Sequence, residues 1–208
     1  MTSEVRRKTR SIIARLGYAE NPHLPLLDEV EFVRDGRAVA DRMCCLNGVV
    51  AAAYGADRSR VLEWIEAEGQ RGTLSAEEAE FLSAKPSLPE DRSMQWTVES
   101  LWALAWCGSL HDALDFGVEC GEELAGLMPT ILEGESSTTL RQSVRVRPSA
   151  ELQEMLDIAY CAHWSIRDAQ LKGQPAPGKT TPLIVVKRRW ALEWMLEDVV
   201  WDEVVLDT

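Results

Sequence analysis

In "DIAYCAHWSIRD", residues 157 to 168, polar groups that can do chemistry sit inside an otherwise apolar helical pattern. His163 falls on the apolar face, Arg167 follows one turn on, and Asp157, Tyr160, Trp164 and Asp168 run along one flank. A histidine oriented by a carboxylate or a tyrosine is a general base near neutral pH, because its unperturbed pKa is about 6.5. Catalysis needs more than a base, and no nucleophile or metal partner accompanies this one. The same residues suit a buried histidine satisfied by a neighbouring carbonyl or carboxylate, with Arg167 and Asp168 in ion pairs between helices. That structural reading is the one the missing constellation favours.

The second candidate is the stretch "RRWALEWMLEDVVWDEVVLDT", Arg188 to Thr208. Arg189 and Glu193 are one helical turn apart and can pair. Trp190 and Trp194 share a face, Trp201 is placed to pack where the chain turns, and Arg188 with Asp202 or Asp207 would clamp the tail. Tryptophans over arginines also make recognition boxes; aromatic residues at helical spacing more often belong to a core. Taken together, the two stretches define one candidate pocket between the helix carrying His163 and the C-terminal helix.

Other motifs are missing their parts. "PGKTTP" holds a Gly-Lys-Thr without the preceding glycine of a phosphate-binding loop. His23, His111 and His163 form no ligand pair at helical spacing, and Cys44, Cys45, Cys107, Cys120 and Cys161 show no C-x-x-C. We expect no metal and no cofactor, and we read the cysteines as small core residues of a reducing compartment.

Helices must position these residues. "RAVADRMCCLNGVVAAAYG" puts Val39, Met43, Leu46, Val50 and Ala53 at helical steps, with Gly55 as the stop. Asp57 caps a short helix that ends at Gly69, and Ser75 with Glu78 forms a capping box for a helix closed by Pro86. After the linker "SLPEDRS" the spacing predicts an apolar, central helix from Ser93 to about Cys107. Shorter pieces are expected over 110–116 and 119–128. The alternation in "LRQSVRVR" suits a short strand, a hairpin or an extended edge. The longest helix runs from Ser149 to Gly173, and a last one from Ile184 to Leu196 stacks Val186, Trp190 and Trp194. The expectation is an all-α protein, one domain over 1–208 of about eight or nine helices, with a possible break at 84–92.

Composition bounds the setting. Of 208 residues 46% are hydrophobic and 27% charged, with eight tryptophans and a net charge of −12. The longest apolar runs fall short of the roughly 18 residues of a membrane span, and the N-terminus lacks a secretory pattern. A cytoplasmic protein is expected. Residues 61–140 carry 3 basic and 16 acidic groups. That field repels nucleic acid and anionic lipid and would steer a basic protein partner toward its face, while the commoner use of such a run is to solvate exposed helix faces.

Nearly the whole chain resembles a bacterial family of unknown function, the one numbered 4272. The likeness is carried by "KTRSIIARLG", "HLPLL", "LSAEEAEFL", "WTVESLWALAW", and most strongly by "DIAYCAHWSIRDAQLKG" with "VVKRRWALEWMLEDVVWDEVVLDT". Position by position it marks Asp157, Tyr160, His163, Trp164, Arg167, Asp168, Arg188, Ala191, Leu192, Trp194, Trp201, Asp202, Asp207 and Thr208. The sequence departs from the pattern at Cys161, where arginine is common, Lys187 (an acid), Arg189 (histidine) and Glu193 (asparagine). The resemblance implies the fold and no reaction. The functional expectation is therefore a non-enzymatic, acidic binding protein, for instance an immunity-type partner of a basic protein. The alternative is a small-molecule or hydrolytic site between the His163 helix and the C-terminal helix.

Overall fold

The computed structural model describes residues 3–28, 30–84 and 92–207. Among them are nine α-helices: α1 (Ser3–Leu16), α2 (Gly36–Ala53), α3 (Arg58–Ala67), α4 (Ala76–Ser83), α5 (Thr97–Cys107), α6 (Leu124–Leu127), α7 (Thr138–Ser143), α8 (Ser149–Leu171) and α9 (Pro182–Leu196). The fold is all-α, and no strand occurs among the described residues. The break expected at 84–92, together with Pro86 and most of the linker, lies outside the described residues apart from Ala84 and Arg92.

Local sequence sets the helix ends. The Asp35 and Asp57 carboxylates accept from the amides of Ala38 and Arg60, capping α2 and α3. Ser75 and Glu78 exchange both bonds of the capping box on α4. Gly55 leaves α2 at φ +100°, a conformation other residues rarely adopt.

Packing order differs from chain order. α1 packs on α8, α8 on α9, α9 on α5, α5 on α2, and α2 on α3. Gly48 makes the last contact close, because a Cβ there would stand 2.7 Å from Cδ1 of Ile65. Lying between α2 and α9, α5 buries every residue but Val98, as its apolar sequence requires. Met43, Leu46, Leu101, Leu104, Leu152, Ile166 and Leu192 belong to one continuous buried cluster, each contributing about 1.5–3 kcal/mol.

Several local expectations are corrected. "LRQSVRVR" forms no strand or hairpin: its first half is α7, and only its second half is an extended edge, lying along the end of α5. There the amides of Arg145 and Arg147 donate to the carbonyls of Gly108 and Cys107. The alternation serves that contact, turning Val144 and Val146 inward, and the carbonyls left open at a helix end take the place of a second strand. No helix spans 110–116, because Ser109 leaves α5 at φ +57°. Of 119–128 only Leu124–Leu127 is helical. On α9, Val186 and Trp190 are half-buried; sandwiched between α5 and α8, the helix fills its core contacts with Ile184, Val185, Ala191, Leu192 and Met195.

All five cysteines are free, and only Cys120 is not fully buried. Burial pushes the Cys44 thiol up to about 11 and those of Cys45, Cys120 and Cys161 up to about 12, so they stay protonated and unreactive at neutral pH. No helix among the described residues is long and apolar enough to cross a membrane.

Candidate functional site

His163 is buried, 6% exposed, and points at α9. Its Nδ1 lies 2.8 Å from Nη1 of Arg189. A guanidinium can only donate, so Nδ1 accepts and the ring is neutral with its proton on Nε2. Burial first, then the charges of Arg189 and Arg167, push its pKa down to about 4. At neutral pH this is a weak base already occupied by a cation. Arg189 is itself fully engaged: Nε donates to Glu193 at 2.8 Å, Nη2 to the carbonyl of Asp207 at 2.7 Å, and its plane lies 4.9 Å from the Tyr160 ring. Burial pushes the Glu193 carboxyl up despite its arginine partner.

The flank of α8 divides between core and solvent. Asp157 is fully buried and takes both Nε and Nη2 of Arg6 from α1, while Arg6 also donates to the carbonyls of Leu24 and Pro25. Trp164 is half-buried. Among the described residues Arg167 and Asp168 make no bridge to another helix; Arg167 donates to Gln170, and Asp168 accepts from Lys172, both within α8 or its last turn.

Arg188 does not clamp the tail. It enters the core toward α5, where Nε and Nη2 meet Glu99 at 2.8 and 2.6 Å, and it also donates to the carbonyls of Asp115 and Val118. The second oxygen of Glu99 accepts the amide of Cys120. The tail is held by other arginines. Arg34 gathers the carbonyls of Trp194, Glu197 and Val199. Arg42, paired with Glu78, lies 4.3 Å under the ring of Trp201, which meets Trp194 edge-on at 5.5 Å. Asp202 accepts the amide of Ala76 at the start of α4. Arg188, His163 and Asp202 therefore belong to three separate contacts, and each is engaged within the protein.

Trp194, Trp201 and Asp202 line a hollow of about 450 Å³ beside Arg34 and Arg42. A larger groove of about 780 Å³ contains none of the candidate site residues of α8, α9 and the tail. Its walls are α2 with Tyr54, the turn before α5 with Trp96, and the segment 119–128. Val50, Ala51, Val98, Leu101, Leu124 and Met128 make the apolar floor, and Glu119, Glu122 and Arg92 are the exposed charged residues of its lip. The signal for it is the acidic run in "GVECGEELAGLM", whose carboxylates frame apolar residues. With its parts divided among three distant segments, helical periodicity does not assemble it. Among the described residues no three His, Cys, Asp or Glu side chains come together to hold an ion.

The chain is all-α, with arginine-pinned loops, an engaged histidine and an acid-lipped groove among its described residues. It belongs to the domain-of-unknown-function family DUF4272, which matches residues 5–204. No curated protein and no solved structure matches it. Within the matched span Arg189 and Glu193 pair with each other, and Arg189 holds His163.

Proposed function

We propose that this is a non-enzymatic binding protein of the cytoplasm whose partner is a basic protein, an immunity-type complex with a basic toxin domain being one such pairing. The observation that carries the reading is the exposure of the acidic third. Glu63, Glu66, Glu77, Glu80, Asp112, Asp115, Glu119, Glu122, Glu123, Glu133 and Glu135 are all exposed, whereas the described basic residues of the span, Arg71 and Arg92, are few. Arg71 is moreover paired with Glu66. Such a surface accelerates encounter with a cationic protein and disfavours nucleic acid. A hydrolytic or small-molecule site between α8 and α9 draws little support, since the polar groups there satisfy one another.

Capture from native lysate at low and at high salt tests the reading, followed by binding of the purified captured protein to the wild type and to Glu63→Lys/Glu66→Lys. A salt-sensitive partner weakened by the charge reversal is expected. Capture that is indifferent to both salt and the reversal would refute it.

A further inference from the structure

We infer that the groove between α2, α5 and residues 119–128 is where a basic amphipathic helix of the partner docks, an inference that rests on the acidic-face reading above. The floor is apolar, and Tyr54 at one end is 65% exposed, an unusual position for a large aromatic ring without an outside contact. Glu119 and Glu122 on the lip are exposed, and among the described residues neither has a salt-bridge partner. An apolar slot beside unpaired carboxylates matches a helix that buries leucine-like side chains and places lysine or arginine one turn away. With two exposed carboxylates against the single cation of Arg92, it disfavours an acidic or phosphate-bearing ligand.

The groove is also built in advance. Gln95 donates to the carbonyl of Ala53 at 3.1 Å, Asn47 to that of Pro129 at 3.0 Å, and the Cys120 amide to Glu99 at 3.0 Å. These bonds tie each wall to another, so little ordering cost falls on binding. Glu99, at the inner end, is held by Arg188 and therefore shapes the groove without offering a free charge.

The test uses labelled 14-residue peptides of defined pattern and fluorescence anisotropy near physiological salt. One peptide has leucine and lysine at helical amphipathic spacing, a second replaces leucine by serine at the same charge, and a third replaces lysine by glutamate. The leucine/lysine peptide is expected to bind about tenfold or more tighter than either control. Ala125→Trp, which fills the groove from an exposed position, and Glu119→Lys/Glu122→Lys are each expected to weaken it about tenfold, against less than about threefold for Glu63→Lys/Glu66→Lys on α3.

Equal binding of the serine/lysine peptide, or equal losses from the lip and α3 reversals, would overturn the inference in favour of diffuse charge attraction. Hexyltrimethylammonium displacing the peptide at comparable concentration would reassign the groove to a small hydrophobic cation and overturn it too. If the captured partner is lost on α3 reversal but not on lip reversal, the groove fails while the acidic-face reading stands. If neither reversal matters, both fail.

Discussion

The His163 cluster and the groove are both made of acids, arginines and aromatic rings, yet they have opposite fates. Around His163 every charge meets a counter-charge or a carbonyl inside the protein: Arg189 takes His163, Glu193 and the carbonyl of Asp207. In the groove the carboxylates of Glu119 and Glu122 are exposed beside an apolar floor. Density of polar residues in a segment therefore does not mark where a protein offers chemistry to others. What marks it is polar groups left unspent beside accessible apolar surface.

The sharpest way to break that contrast is to attack the buried side. Arg188→Met removes a fully buried cation and leaves Glu99 charged and uncompensated, so urea unfolding is expected to show a loss of about 3–5 kcal/mol. Adding Glu99→Gln is expected to recover part of it. A loss below about 1 kcal/mol for the single change would place the pair among ordinary surface bridges and dissolve the distinction.

Acid probes the same interior more gently. His163 has a folded-state pKa of about 4, below the ordinary value of about 6.5. Between those values the unfolded chain takes up a proton that the folded chain refuses. Stability therefore falls as pH falls through this window, by on the order of 3 kcal/mol at its lower end, and above pH 6.5 the ring adds no pH dependence. Glu193, pushed up by burial, acts in the opposite sense because the folded state protonates it first. His163→Asn keeps an acceptor for Arg189 and abolishes the titration, so its urea midpoint is expected to vary less than that of the wild type between pH 6.5 and 4.5. An identical slope in the two proteins would assign the titration to other groups.

Ser75→Ala removes one half of the capping box on α4 and is expected to cost about 1 kcal/mol in thermal or urea unfolding. The smallest effect belongs to the groove: Glu119→Lys/Glu122→Lys is expected to change stability by no more than about 0.5 kcal/mol, as exposed residues without partners do. A larger loss there would mean that the lip helps hold the fold and is not free for a partner.

Much of the scaffold is legible in the sequence because it is written locally. Asp57, the Ser75/Glu78 box, the apolar run of α5 and the long periodic α8 act within a few residues of themselves, and helical spacing exposes them. Arg189 and Glu193 are legible for the same reason. Arg6 with Asp157, Arg42 with Glu78 and Arg188 with Glu99 are not, since each joins segments whose proximity is a result of folding. Arg188 shows the difficulty best: neighbouring acids in the tail suggest a clamp there, whereas helix packing sends its side chain to α5. The groove escapes a periodicity reading altogether, being the space left between α2, α5 and a mostly irregular segment.

The bond from Arg6 to Asp157 spans 151 residues and that from Ala76 to Asp202 spans 126. During synthesis α1 therefore emerges long before the acid that neutralises Arg6, and α4, capped locally by Ser75 and Glu78, gains the Asp202 contact to its first amide only later. Contacts so distant in sequence close late and slow the search for the native state. Until the contact with Asp157 closes, Arg6 stays in water and α1 has not found its seat on α8.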